Sequence, residues 1–259
     1  MSNIGHYWKD KEERKEIARK HTNEMERKCA ANIMKSENNT KVYSIDFECN
    51  KTNNGCNTKI VLEDMDSVTA IHAHTFNKTA VLNFASYKHP GGMFINGSKA
   101  QEECLCHESF LYNVLSRFSE RYYDWNNAHK NKSLYLNRAL YTPDVLFFRG
   151  DEVTICDVIT CAAPNKTSAQ KYGHVTDRDN TEALRDRIRY VLDIARENNV
   201  NTLILGAYGC GVFGQSPTEV ASIFKEYLTT THKCFTKVVF AIPEGKDNNL
   251  KAFMDVWKK

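Results

Sequence analysis

The chain has 259 residues, of which 41% are hydrophobic and 26% charged, and its formal net charge is +3 at pH 7. These values are ordinary for a globular protein with a substantial core, and the charge is too small to indicate a nucleic-acid-binding protein. No apolar run reaches membrane-spanning length, residues 1–10 contain no signal-peptide core, and the nine cysteines follow no disulfide or CxxC pattern. We therefore expect an intracellular protein, cytoplasmic or nuclear, that does not interact with membranes.

The first part of the chain, residues 1–38, predicts an N-terminal helical extension. Lys, Arg and Glu are dense from residue 7 to residue 36, which favours one or two helices with a solvated charged face. A basic interaction arm is the alternative, but acidic side chains alternate with the basic ones throughout. The next predicted elements are a strand at 41–46, a polar loop at 48–58 and short strands at 59–62 and 67–72.

His72 and His74 lie two residues apart, so on a strand their side chains would share one face. That arrangement raises the question of a zinc site. No third and fourth ligand follows at a metal-like spacing, and Cys104 and Cys106 are better explained by helix packing. We therefore predict that the protein binds no metal.

A strand, a glycine loop and a helix follow one another from residue 81 to residue 118. The apolar run at 81–85 predicts a buried strand, and the turn signals Pro90-Gly91-Gly92 and Asn96-Gly97 follow it. Such a loop leaves backbone N–H groups free beside a helix N-terminus, where they favour bound anions. This stretch therefore predicts an anion site.

The helix after this loop begins with two adjacent carboxylates. Ser98 stands three residues before Gln101, which predicts a capping box and places Gln101, Glu102 and Glu103 in the first helical turn. Glutamates at a helix start are also explained by the helix dipole alone. The functional alternative is a phosphate-bearing substrate placed beside an acid.

The rest of the chain alternates between strands and helices. Residues 119–138 resemble a surface excursion whose aromatic side chains either anchor it or cover a ligand. The remaining elements are predicted as strands at 145–148, 153–159, 201–207 and 237–242 and helices at 181–198, 217–230 and 250–257. This alternation, with near-continuous apolar runs, predicts an α/β fold with a largely parallel or mixed sheet.

A second glycine loop, residues 208–214, follows the strand at 201–207. Two such loops at the carboxyl ends of strands match the place where open α/β sheets bind ligands. Neither loop is GxGxxG or GxxxxGK[ST], which disfavours a dinucleotide-binding dehydrogenase and a P-loop enzyme. Cys210 is not the nucleophile of a G-x-C-x-G elbow, because Tyr208 and Val212 occupy the glycine positions.

The stretch NFASYKHPGGMFINGSKAQEE resembles the signature of poly(ADP-ribose) glycohydrolases, in which a glycine triplet is followed, after six to eight residues, by QEE. The second loop, GAYGCGVFGQSP, resembles the other phosphate loop of that family, G-x-G-x-F-G, and residues 158–165 resemble the stretch between the two in compact microbial-type members. The resemblance begins at about residue 43. It implies a macrodomain-like three-layer fold, with residues 1–259 as one catalytic domain that includes the extension at 1–38.

The resemblance also implies an activity, hydrolysis of ribose–ribose O-glycosidic bonds in poly(ADP-ribose) with release of ADP-ribose and without a cofactor. It implies that Glu103 is the catalytic acid/base and that Glu102 orients ribose hydroxyls. The implied ligand-binding residues are Gly91, Gly92, Asn96, Gln101, Gly209, Gly211, Val212 and Phe213. The implied partners are poly(ADP-ribose) or an ADP-ribosylated protein, with ADP-ribose as the product.

Met93 stands where the family has its third glycine. A non-glycine residue in left-handed geometry costs about 1–2 kcal/mol, and if ligand binding imposes that geometry, we expect Met93 to impair catalysis without eliminating it. Two alternatives to the hydrolase remain. One is a macrodomain that binds ADP-ribose without cleaving it, and the other is a hydrolase of mono-ADP-ribosylated targets.

Overall fold

The computed structural model describes residues 10–52, 55–245 and 247–258. The described strands are β1 (Lys41–Tyr43), β2 (Lys59–Glu63), β3 (Thr79–Phe84), β4 (Ala139–Arg149), β5 (Glu152–Cys161), β6 (Thr202–Leu205) and β7 (Lys237–Ala241). They form one sheet in the order β1-β4-β5-β3-β6-β7-β2. Neighbouring strands from β5 to β2 pair in parallel, whereas β4 is antiparallel to both β5 and β1. The predicted mixed sheet is confirmed.

Helices connect the strands and cover both faces of the sheet. The described α-helices are α1 (Lys11–Lys28), α2 (Ala30–Asn39), α3 (Ser67–His74), α4 (Gln101–His107), α5 (Leu111–Leu115), α6 (Trp125–Ala128), α7 (Lys166–Gly173), α8 (Asp177–Glu197), α9 (Pro217–Thr229) and α10 (Asn249–Lys258). Within the described residues, none of them is both long and apolar enough to cross a lipid bilayer.

The sheet separates two apolar cores because successive strand residues point to opposite faces. On β3, Leu82 packs in the core beneath α8, α9 and α10, whereas its neighbour Val81 packs in the core beneath α1 to α5. Ile159 and Val158 on β5 divide in the same way. Two helical layers around one sheet give the three-layer α/β fold that the sequence predicts.

The centre of the sheet brings two glycine loops to one edge. β3 pairs in parallel with both β5 and β6, so the carboxyl ends of all three strands lie at the same edge. The first loop follows β3 and leads to α4, and the second follows β6 and leads to α9. Two loops that are about 120 residues apart in the chain are therefore neighbours.

The predicted strand at 67–72 is wrong, because this segment is the helix α3. The Asp66 carboxylate caps it by accepting hydrogen bonds from the Val68 and Thr69 backbone amides, both at 2.9 Å. His72 and His74 are therefore about 200° apart around a helix and do not share a face. His72 contacts the Thr154 hydroxyl at 2.8 Å, and His74 contacts the Glu63 carboxylate at 2.5 Å. Among the described residues, no group of three His, Cys, Asp or Glu side chains is arranged to hold a metal.

The helix predicted to reach residue 118 ends early. α4 stops at His107, the chain forms a β-bridge between Ser109 and Phe147, and the helix resumes only as α5. The Ser109 hydroxyl accepts a hydrogen bond from the Leu111 amide at 3.0 Å, which stabilises the break. The predicted excursion at 119–138 contains short helical turns, and its Tyr122 and Tyr123 side chains are fully buried in the core.

The N-terminal helices pack against the body of the protein. On α1, the Arg14 guanidinium Nε donates to the carbonyl of Gly97 in the first loop at 2.6 Å. Farther along, Asn113 donates to the carbonyl of Thr22 at 3.0 Å. The predicted helical extension is thus present from residue 11, while its residues 1–9 and residues 53 and 54 of the predicted polar loop lie outside the described part. The assignment of residues 1–259 to one catalytic domain stays a prediction.

Candidate active site

The side chain of Gln101 attaches the start of α4 to the end of β3. Its Oε1 accepts from the Phe84 amide at 2.8 Å, and its Nε2 donates to the Leu82 carbonyl at 2.8 Å and to the Ser67 hydroxyl at 3.1 Å. Because these bonds occupy both N–H groups of the amide, Gln101 fixes where the following glutamates stand. The amide of Gln101 is thus engaged by the protein itself, and its role in this structure is to position the start of α4.

The predicted capping residue is wrong. Ala100, not Ser98, is the N-cap of α4, and Gln101, Glu102 and Glu103 still occupy the first turn. An alanine side chain cannot accept a hydrogen bond, so the cap consists of the reverse contact alone. Glu103 Oε2 accepts from the Ala100 amide at 2.8 Å, which is the N3-to-N-cap half of a capping box.

The carboxyl group of Glu102 is 3% exposed and lies against β3. Its Oε1 accepts from Asn83 Nδ2 at 3.2 Å, and its Oε2 accepts from the Ser86 amide at 2.7 Å. Burial raises the pKa of Glu102 to about 8, although these two donors oppose the shift. A carboxyl group in this setting holds a proton at neutral pH and is fixed in one orientation.

Glu103 joins the helix to the first loop. Its Oε1 accepts from the Met93 amide at 2.8 Å, while its Oε2 binds Ala100 as described. Gly92 lies against both carboxyl groups: a Cβ atom added there would be 2.6 Å from Glu103 Oε1 and 3.0 Å from Glu102 Oε2. Only glycine can occupy this position without displacing the carboxyl groups.

The first loop turns through two left-handed glycines. Gly91 and Gly92 have φ angles of +61° and +63°. Met93 has a φ of −110°, a conformation open to any residue. Met93 therefore carries no left-handed strain in this structure, and its expected effect on catalysis stays a prediction. Its side chain is 42% exposed, and Asn96 also lies at the surface, in a short 3₁₀ turn.

The second loop packs on the protein at Gly209 and is exposed to solvent at its tip. Gly209, with a φ of +75°, packs on Ala163 and on Gln215, whose amide is paired with Asn180. Within the part of the chain that the structure describes, four amides of this loop donate no hydrogen bond to the protein: those of Gly209, Gly211, Val212 and Phe213. Val212 is 88% exposed at the tip of the loop. The loop therefore offers free N–H groups at the same edge as the two carboxyl groups.

Aromatic side chains connect the two loops. Phe84 and Tyr208, which stand at the base of the two loops, have ring centroids 5.6 Å apart. Higher up, Tyr87 stacks on Tyr135 at 4.1 Å, and the Tyr135 ring lies 6.3 Å from that of Phe213. The carboxyl pair, the free amides and an aromatic wall thus converge at one edge of the sheet.

Sequence reasoning missed several residues of this site. Asn83, fully buried in an otherwise apolar strand, was the available signal, because a buried amide needs polar partners. Tyr135 belongs to the aromatic side chains of residues 119–138 that the sequence offers as a ligand cover, but its stacking partner Tyr87, 48 residues away in the chain, gives no local signal. Burial raises the pKa of the Cys210 thiol to about 12, which agrees with the prediction that it is not a nucleophile.

Comparison with known proteins agrees with this arrangement. A family model described as the microbial-type PARG catalytic domain matches residues 5–150, where PARG denotes poly(ADP-ribose) glycohydrolase, and this chain belongs to that family. No curated protein sequence matches the chain significantly.

Solved structures extend the similarity over nearly the whole chain. Poly(ADP-ribose) glycohydrolase from Thermomonospora curvata is 27% identical, with a TM-score of 0.83 over 95% of this chain and 99% of that one. The same enzyme bound to the inhibitor ADP-HPD gives 28% identity and a TM-score of 0.81, covering 94% of this chain and 99% of that one. A Deinococcus radiodurans poly(ADP-ribose) glycohydrolase mutant in complex with ADP-ribose is 29% identical, with a TM-score of 0.80 over 87% of this chain and 97% of that one. The macrodomain-like fold and the enzyme class expected from the sequence are confirmed.

We predict that Gly92→Ala is far more damaging than Gly150→Ala. Both glycines have a φ of about +62°, so both variants carry the left-handed strain of about 1–2 kcal/mol, but a Cβ at Gly150 meets nothing within 4 Å. The extra loss in Gly92→Ala therefore measures the contact with the carboxyl groups. Chemical denaturation of both variants tests this, and equal losses of unfolding free energy would contradict it.

We predict that the contribution of Glu102 to the unfolding free energy falls as the pH rises from about 5 to 8. The folded pKa of Glu102, about 8, exceeds the unfolded value of about 4.3, so the native state binds more protons in this window. One such group contributes a slope of at most about 1.4 kcal/mol per pH unit. Denaturation at a series of pH values gives the unfolding free energy as a function of pH. This plot should be flatter for Glu102→Gln than for the wild type, and an identical slope in both proteins would refute the raised pKa of Glu102.

Proposed function

We propose that this protein hydrolyses the ribose–ribose O-glycosidic bond of poly(ADP-ribose) at the edge where β3 and β6 end. The observation that carries the proposal is the contact of the first glycine loop with two buried carboxyl groups, opposite a second loop with free amides. Family membership supports the same activity. ADP-ribose is the proposed product, and an ADP-ribosylated protein is a possible carrier of the polymer.

In the proposed complex the substrate diphosphate lies between the two loops. The amides of Gly209, Gly211 and Val212 lack partners within the described residues, and a diphosphate would accept their hydrogen bonds. Gly91 and Gly92 complete the opposite side through their left-handed turn. Phe213 would pack on the bound nucleotide beside Tyr135, and Asn96 would contact the distal ribose from the surface of the first loop.

The proposed chemistry needs one carboxyl group that first gives and then takes a proton. Cleavage leaves a hydroxyl that must be protonated, and the oxocarbenium-like sugar is then attacked by a water molecule that must lose a proton. We assign this task to Glu103, whose Oε1 is the carboxyl oxygen nearest to the space in front of Gly92, 2.6 Å from where a Cβ atom would stand and where the ligand would approach. Glu102 would hold the ribose hydroxyls, since Asn83 and the Ser86 amide fix its orientation.

One observation favours a second assignment, with the two roles exchanged. The raised pKa of Glu102 makes this group a competent acid at neutral pH. Both carboxyl groups lie against Gly92, but Glu103 Oε1 is nearer to the position of its missing Cβ, at 2.6 Å against 3.0 Å for Glu102 Oε2. Glu102 is also bound to β3 through Asn83, whereas Glu103 bonds to the loop at Met93. We therefore retain Glu103 as the acid/base, and the variants below distinguish the two assignments.

We predict that Glu103→Gln abolishes ADP-ribose release while the affinity for ADP-ribose stays within about tenfold. The amide preserves the shape of the side chain and removes the transferable proton, although its NH2 group can no longer accept from one of the two backbone amides, Met93 or Ala100, that bind Glu103. Glu102→Gln should lose both turnover and affinity, because it loosens the ribose. Product release from labelled polymer and calorimetric ADP-ribose affinity check this pair. Turnover in Glu103→Gln together with none in Glu102→Gln would exchange the two roles.

We predict that Met93→Gly leaves kcat/KM within about threefold of the wild-type value. The backbone at Met93 is unstrained, so glycine relieves nothing and adds only the backbone-entropy cost of about 0.5–1 kcal/mol. Steady-state rates on poly(ADP-ribose) measure this. A gain above tenfold would mean that the ligand-bound loop requires left-handed geometry at this residue. Binding of ADP-ribose without turnover in either protein would favour the non-catalytic reader.

A further inference from the structure

Arg187 is a buried cation beneath the candidate site. It lies on α8, is 2% exposed and is the largest of the fully buried side chains. Within the described residues its hydrogen bonds go to the amide of Asn137, to backbone carbonyls and to the Cys161 side chain. No described carboxylate forms an ion pair with it, and Asp186 reaches it only through Asn137, from which it accepts at 2.5 Å. Burying a charge without an ion-pair partner costs free energy, which suggests that Arg187 has a function that offsets this cost.

The first contact of Arg187 is with the segment that carries Tyr135. Its Nε donates to Asn137 Oδ1 at 2.6 Å, and its Nη2 donates to the Tyr135 carbonyl at 3.1 Å. Tyr135 itself has a φ of +60°, a strained conformation for a tyrosine. The guanidinium therefore holds this residue in the geometry that lets its ring stack on Tyr87.

The second contact of Arg187 is with the wall beneath the second loop. Its Nη1 donates to the Ala162 carbonyl. The next residue, Ala163, would lie 2.9 Å from a Cβ added at Gly209, and the Pro164 carbonyl accepts from Gln215 at 2.8 Å. Gln215 in turn packs on Gly209. One side chain thus supports both the aromatic wall and the amide-rich loop.

The charge of Arg187 matters as well as its hydrogen bonds. Its partners are dipoles, so a net positive charge remains in a region where solvent screens poorly. The segment that it contacts lies directly against the loop proposed to bind the diphosphate. An anion bound there would compensate the buried cation.

We propose that Arg187 is a positioning residue of the ADP-ribose site, whose guanidinium fixes the Tyr135 and Ala162 segments and supplies a permanent positive charge behind the diphosphate. This inference rests on the proposed function. It predicts that the residue favours ligands that carry a diphosphate over neutral nucleosides.

The test compares ADP-ribose with adenosine, which lacks the diphosphate. In Arg187→Gln the charge is lost, and ADP-ribose affinity should fall at least about tenfold while adenosine affinity falls less than about threefold. Arg187→Lys keeps the charge and should hold the ratio of the two affinities within about threefold of wild type. Arg178→Gln is the matched control: this arginine, on the same helix, is exposed and paired with Glu182, outside the contacts of Arg187. It should bind both ligands like the wild type.

Three results would overturn the proposal. One is unchanged ADP-ribose affinity in folded Arg187→Gln, and another is an equal loss for both ligands, which indicates a purely structural role. If circular dichroism shows that Arg187→Gln does not fold, the test rests on Arg187→Lys. The third result is a fall of about tenfold in the ratio of ADP-ribose affinity to adenosine affinity in that variant. Failure of the wild-type protein to bind ADP-ribose would instead contradict the proposed function.

Discussion

The site depends on the close approach of one backbone segment to two carboxyl groups. Gly92 leaves no room for a side chain, because its missing Cβ would meet Glu103 at 2.6 Å and Glu102 at 3.0 Å. Gln101 fixes the other side of this contact by attaching α4 to β3. The loop, the helix start and the strand end are therefore one rigid unit. Two adjacent glutamates with the same chemistry acquire different environments within it.

Local patterns predicted much of this unit. The apolar run at β3, the glycine loop and the placement of Glu102 and Glu103 in the first turn of α4 all follow from short-range rules. The placement was correct although Ser98 is not the cap, since the glutamates define the helix start through Glu103 itself. After the second loop, the helix predicted from residue 217 begins there as α9, with Ser216 as its N-cap and Pro217 in its first turn.

Short-range rules could not predict the contacts between distant segments, nor the choice between helix and strand at residues 67–72. The β-branched residues at 67–72 favoured a strand, but the Asp66 cap and burial of the segment stabilise α3 instead. The backbone at Met93, with a φ of −110°, does not adopt the left-handed geometry that a glycine in the family motif suggests, and a motif alone cannot show which conformation the loop takes. Arg14 on α1 binds the first loop at Gly97, and Arg187 on α8 binds Ala162 beneath the second loop. Both contacts join residues more than 20 positions apart in the chain, so no local pattern predicts them.

Product analysis of the wild-type reaction tests the central claim most directly. Labelled poly(ADP-ribose) would be incubated with the protein, and the products separated by chromatography and identified by mass. Cleavage between riboses at the Glu102–Glu103 site predicts that free ADP-ribose accumulates as the polymer disappears. Intact polymer in the presence of tightly bound ADP-ribose, or products cut within the diphosphate, would contradict the account.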